Sequence, residues 1–182
     1  MNDRWGSDLV AEAIRQLGFG FAVYNPGASW RGLHDSFVNH LDGAVGLVLA
    51  LHEEHAVAVA HGWTKVTGQP ALALVHSNVG LLHATMAIYN AWVDRAPVVV
   101  VGATGTMDAN RRRPWIEWIH TFQDQAQLVR PYTKWDDQPA SAQAAVESLA
   151  HGLALARLAP QGPVYICLDV ADQEAPLPPS VT

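Results

Sequence analysis

The stretch "AVGLVLALHEEHAVAVAHGWTKVTGQPALALVHS", residues 44–77, sets an apolar run, a helical pattern and a second apolar run in direct succession. "AVGLVLAL" has the length and composition of a buried strand, and "ALALVHS" those of another. Between them a helix is expected over about residues 53–66, stopped by Gly68 with Pro70 close behind. Strand, helix and strand in this order imply a right-handed crossover joining parallel strands. At about 100° per residue, Glu53 falls on the helix face of Ala56, Val57, Ala60 and Thr64. Glu54 turns with Ala58, His61 and Lys65, so it faces water and can pair with Lys65 or its neighbours. Burial should disfavour an ionised Glu53, while the helix N-terminus favours the anion. A glutamate here can also simply cap its helix. Its place just beyond a strand end points to chemistry instead.

The same alternation continues outward. Residues 7–17 carry helical spacing with Ser7 or Asp8 as N-cap, and Gly18 and Gly20 end that helix. "FAVYN" follows as a short strand, then "PGASWRGLHDSFVNHL" as a turn and helix. Residues 79–93 form a helix, "APVVVVGAT" a fully buried strand, and residues 105–120 a polar excursion rich in arginine and tryptophan. A helix over "SAQAAVESLAHGLALARL" precedes the strand "GPVYICLDV". The expected organisation is one domain over residues 1–172 and a proline-rich tail or linker remnant over 173–182. The fold class is α/β, a three-layer α/β/α arrangement around a central parallel sheet. Ligands in such folds sit beyond the carboxyl ends of the strands. Asn25-Pro26-Gly27, His52-Glu53 and His76-Ser77 occupy three of those ends and should converge on one rim.

Composition narrows the function. The 182 residues are 49% hydrophobic and 15% charged, which is a globular balance. A net charge of −6 offers no basic face for nucleic acid, and Arg111-Arg112-Arg113 reads as a solvated loop. No apolar run is long enough to span a bilayer, and the N-terminus has no signal-peptide pattern. A cytoplasmic protein with no membrane partner is expected. The single cysteine, Cys167, lies in an apolar strand and has no partner for a disulfide within the chain. Spacing argues against a metal: His52 and His55 are three apart, where His-Glu-x-x-His needs four. "GATGTMDA" resembles a dinucleotide fingerprint, but Asp108 stands where its third glycine belongs. His76 ends a strand and opens the flexible helix entry Ser77-Asn78-Val79-Gly80. "HTFQDQ", residues 120–125, ends a long loop over the same rim.

Taken in order, "YNPGAS", "LALHEEHAVAVAHGWTKVTGQPAL", "VHSNVGLLHATMAIYNAWVDRAPVVVVGAT", "FQDQAQLVRPYTKW" and "APQGPVYICLDVAD" resemble one family over nearly the whole chain. It is the pyrimidine-binding domain of thiamine-diphosphate-dependent 2-oxoacid decarboxylases and acetohydroxyacid synthases, with the benzoylformate decarboxylases most similar. The resemblance implies that Glu53 hydrogen-bonds the cofactor's pyrimidine nitrogen and favours its imino tautomer. It makes His76 the catalytic histidine that handles protons around the substrate. Pro26, Gly27, Gly80 and His83 would lie against the cofactor, and Ala28, Ser29, His76, Phe122 and Gln123 on the substrate side. Two positions depart from the decarboxylase pattern: Ala28 replaces the serine after Pro-Gly, with Ser29 next, and His83 replaces an asparagine.

Nothing in the sequence matches the family's second domain, whose Gly-Asp-Gly…Asn motif holds the diphosphate through Mg²⁺. The resemblance therefore implies a subunit of a two-component enzyme, acting on a small 2-oxoacid and inactive alone. Its partner would be a diphosphate-binding subunit that holds the Mg²⁺, in a heterotetramer or larger hetero-oligomer. A fragment of a longer single-chain enzyme and a non-catalytic regulatory or assembly subunit are the alternatives.

Overall fold

A computed structural model of the chain describes residues 4–177. Helix α1 (Gly6–Gln16) leads into β1 (Phe21–Tyr24), a 3-10 turn (Ala28–Trp30), α2 (Arg31–Asp35) and a π-helical turn (Ser36–His40). Then come β2 (Gly46–Leu49), α3 (Glu53–Thr67), β3 (Ala71–Leu74), α4 (Ser77–Val93) and β4 (Val98–Thr104). The chain closes through β5 (Asp136–Asp137), α5 (Ala142–Arg157), β6 (Val164–Asp169) and α6 (Val170–Gln173).

All strand pairs are parallel, and the six-stranded sheet runs β2-β1-β3-β4-β6-β5. The period of two sorts its side chains between two cores. Val99, Val101 and Ala103 of β4 pack with Ile166 and Leu168 under α1, α2 and α5. Val98, Val100, Tyr165 and Cys167 pack on the other face under α3 and α4. Helices on both faces of one parallel sheet make the three-layer α/β/α fold expected. Gly68 ends α3 in the left-handed region (φ 69°), as its place after the helical pattern predicts.

Four local expectations change. The run 44–51 does not form a buried strand: β2 is the sheet's outer edge, with Val48 and Leu49 exposed. Apolar composition marks a strand but not its rank in the sheet, and the chain passes β2 on one side of β1 before placing β3 on the other. The cap of α1 is Trp5 rather than Ser7 or Asp8. Asp8 accepts the Trp5 N–H (2.8 Å) from the third helical position, and both Ser7 and Asp8 are buried. Strand β5 was not foreseen because two aspartates carry no strand pattern, yet Asp136 and Asp137 align with Tyr165 and Ile166. Helix α6 was not foreseen either, and it lies where the expected tail begins, with Gln173 buried. Residues 178–182 of that tail lie outside the described residues. Among the described residues, no helix is long and apolar enough to cross a membrane.

Candidate active site

The sheet order creates a switch point. From β1 the chain turns to β2 on one side and returns as β3 on the other, which opens a crevice above the carboxyl ends of β1 and β3. Tyr24 and Leu74 are in register, so Asn25-Pro26-Gly27 and His76 emerge side by side. Their approach requires glycine at 27. A Cβ there would lie 2.4 Å from Cβ and Cγ of His76 and 2.5 Å from its Nδ1.

His76 is held by Ser29. The Ser29 Oγ lies 2.9 Å from Nδ1 of His76 and accepts the Ser77 N–H at 3.1 Å. With the Ser77 amide donating to it, the Ser29 hydroxyl proton is free to point at Nδ1. Neutral His76 then carries its own proton on Nε2. Burial pushes the His76 pKa down, the charge of His120 pushes it further, and Glu53 opposes both. The His120 ring lies 4.9 Å from that of His76. Ser77 Oγ donates to the His120 carbonyl (2.9 Å), and the Phe122 N–H donates to Thr104 Oγ1 (3.0 Å). These bonds tie residues 120–122 to the ends of β3 and β4.

Glu53, the first residue of α3, is 4% exposed and shares its buried face with Ala56, Val57, Ala60 and Thr64, as the helical spacing predicts. Glu54 is exposed, but its expected partner is taken: Lys65 pairs with Asp94 (3.2 Å), as does His61 (3.1 Å). The Glu53 carboxylate lies against α4, where a Cβ on Gly80 would sit 2.7 Å from its Oε1. The titratable side chain paired with it is His83, with Nδ1 3.6 Å from Oε2. No hydrogen bond from another described residue reaches this carboxylate, and its oxygens keep contact with solvent at the crevice. His52 caps α3 by accepting the Glu54 N–H and stacks on the His83 ring at 4.8 Å.

Glu53, His76, Gly27, Ser29, Gly80 and His83 are thus drawn together by the meeting of β1, β3, α3 and α4. Pro26 and Ala28 are exposed on the rim, Phe122 is half-buried, and Gln123 is exposed on the following turn. Ser29 faces inward and is buried, bonded to His76 rather than open to the crevice. His120 was not singled out from the sequence. The only signal was its place at the end of the long loop, since its contact with His76 spans 44 residues. Together a buried carboxyl, an imidazole oriented by a hydroxyl and a second imidazole can hold and pass protons beside a bound ligand.

The sequence profile of a family described as "Thiamine pyrophosphate enzyme, N-terminal TPP binding domain" matches residues 4–128. The chain is 28% identical over 170 residues to the benzoylformate decarboxylase of Pseudomonas aeruginosa, covering 93% of this chain and 31% of that protein. It is 28% identical over 166 residues to the acetolactate synthase large subunit of Lactococcus lactis, covering 90% and 27%. A thiamine diphosphate-dependent 4-hydroxybenzoylformate decarboxylase of Rhodococcus jostii superposes with a TM-score of 0.83 at 24% identity, over 97% of this chain and 32% of that one. The chain spans about a third of the length of these relatives.

Proposed function

The chain belongs to the thiamine pyrophosphate enzyme N-terminal domain family, and from that premise we propose that it is the pyrimidine-binding subunit of a two-component 2-oxoacid decarboxylase or carboligase. The carrying observation is Glu53: a carboxylate 4% exposed, at a ligand-binding rim, that accepts no hydrogen bond from the described residues. A pyrimidine ring nitrogen that shares a proton with it supplies what the fold leaves out. Gly80 and Gly27 fit the same group, because neither carries a side chain into the space beside Glu53 and His76. When bound, thiamine diphosphate supplies the nucleophilic carbon and the electron sink for breaking or making the bond beside a 2-oxoacid carbonyl.

The chain's own residues do the rest. Glu53 would share a proton between its carboxyl oxygen and the ring nitrogen, from a helix face otherwise packed with Ala56, Val57 and Ala60. His76, neutral near physiological pH because burial disfavours its charged form, offers the Nε2 proton to the substrate side. Ser29 orients that ring and can donate to its Nδ1, and His120 stands as the next proton carrier beside it. Phe122, tied to β4 through Thr104, covers part of the crevice. A separate diphosphate-binding subunit would hold Mg²⁺ and complete the site in a heterotetramer or larger assembly.

Co-expression with a diphosphate-binding partner tests this reading. Thiamine-dependent 2-oxoacid turnover is expected from the wild-type pair, and Glu53→Gln should lower it about 100-fold or more. Equal turnover by the Gln variant overturns the role of Glu53. A wild-type pair that binds no thiamine diphosphate favours the regulatory alternative. The coverage of a third of each relative also suits one part of a longer polypeptide, and the mass of the natural gene product separates that from a subunit.

A further inference from the structure

His52 and His55, neighbours in sequence, are wrongly spaced to share a metal. The fold supplies a different set. His52 at the cap of α3, Glu53 in its first turn and His83 on α4 each offer a ligand atom, and these atoms lie within 4.8 Å of one another. Glu53 is buried and accepts no hydrogen bond from the described residues, whereas His52 is half-buried and His83 exposed. We propose that His52, Glu53 and His83 form a site for a borderline divalent cation such as Zn²⁺, and that this cation and the cofactor's pyrimidine exclude one another at Glu53.

Two imidazoles and one carboxylate are the donor set that suits Zn²⁺, Co²⁺ or Ni²⁺, with solvent completing the coordination. Mg²⁺ and Ca²⁺ prefer oxygen ligands and should not compete. Tetrahedral zinc with bonds of about 2.0–2.1 Å places its ligands roughly 3.3 Å apart, so the set must close by about 1 Å or more. The stacked rings, 21° from parallel, cannot both aim at one ion as they stand. His83, being exposed, is free to rotate, and its Nδ1 already lies 3.6 Å from the Glu53 carboxylate. His52 has only to release a long, exposed bond from the Glu54 N–H (3.2 Å). One cation then neutralises the buried carboxylate and occupies the side from which a ring nitrogen would approach.

Cation binding does not depend on the cofactor reading, but the competition rests on it, so the two are tested separately. The full chain is titrated with ZnCl₂ by calorimetry and with CoCl₂ by visible absorption, with MgCl₂ as the comparison. Wild type is expected to bind Zn²⁺ and to give the intense Co²⁺ bands of a tetrahedral site. His83→Asn and His52→Asn should each weaken Zn²⁺ about tenfold or more, with circular dichroism confirming the fold. His55→Asn, beside the cluster but outside it, should bind like wild type. Unchanged affinity in His83→Asn, equal loss in His55→Asn, or Mg²⁺ binding as tightly as Zn²⁺ overturns the site. In the co-expressed pair, Zn²⁺ should raise the apparent Kd of thiamine diphosphate for wild type and not for His83→Asn. An equal rise in both, or none in wild type, overturns the competition while leaving the cation site intact.

Discussion

At the scale of single residues, His76 shows how position converts an ordinary side chain into a chemical one. It sits at a strand end, its ring is held by Ser29, and its pKa is pulled down chiefly by burial and next by the charge of His120. Removing that charge in His120→Asn should raise the His76 pKa, whereas Glu53→Gln should lower it further. Imidazole resonances followed by NMR against pH read both shifts, and shifts of the same sign would refute the arrangement. The stability consequence has a definite sign. Between the lowered folded value and about 6.5, the unfolded chain binds a proton that folded His76 refuses, so stability contributed here falls as pH drops through that window. Cys167 is the opposite case. Burial raises its thiol to about 12, so it should stay unreactive toward a disulfide reagent at neutral pH until the chain unfolds. Ser77 is fully buried with a left-handed backbone (φ 45°), and its contacts with Ser29 and the His120 carbonyl hold it there.

At the scale of elements, the long helices and central strands were legible because their patterns are local. The face shared by Glu53, Ala56, Val57, Ala60 and Thr64 follows from helical geometry alone, and Gly68 marks its end. What stayed hidden depends on partners distant in sequence. Nothing within residues 44–51 says which neighbours β2 will have, and Asp136-Asp137 becomes a strand only beside β6. Site residues divide in the same way: Glu53 and His76 are visible as strand-end anomalies, whereas His120 needs the third dimension. The glycines of "GATG" make the point in reverse. They suggested a phosphate-binding turn, but a Cβ on Gly102 would lie 2.2 Å from the hydroxyl of buried Tyr165, which Gln125 hydrogen-bonds at 2.6 Å. The glycine makes room for a core tyrosine. Gly102→Ala should therefore cost about 1–3 kcal/mol of stability by overpacking, measured as a lower denaturant midpoint. A neutral result would mean that Tyr165 has room the structure does not show.

At the scale of the whole molecule, the two ends of the described chain close on each other beside the crevice. Gly6 donates to the Ala175 carbonyl (2.8 Å), Leu177 donates to that of Arg4 (2.7 Å), and Trp5 bridges Pro176. Gln173 carries that closure inward. Its Nε2 donates to the Ser29 carbonyl (2.9 Å) and its Oε1 accepts the Leu33 N–H (3.4 Å). The last helix thereby steadies the residue that orients His76. Gln173→Ala should lower stability by about 1–3 kcal/mol, because it leaves buried backbone groups unpaired. It should also slow any turnover that depends on His76, with a smaller effect on cofactor affinity. A variant as stable as wild type would show that other groups satisfy Ser29 and Leu33. The placement of β1 between β2 and β3 matters in time as well. This strand leaves the ribosome before either of its partners exists, and the crevice is complete only when residue 120 has followed residue 25. At roughly 5–20 residues per second, some 5–20 seconds of synthesis separate its first piece from its last. Through the first half of that interval, until β2 and β3 have both emerged, Ala22 and Val23, fully buried in the finished fold, have no complete sheet to enter. The nascent chain's exposure to chaperones and to misassembly should be concentrated there.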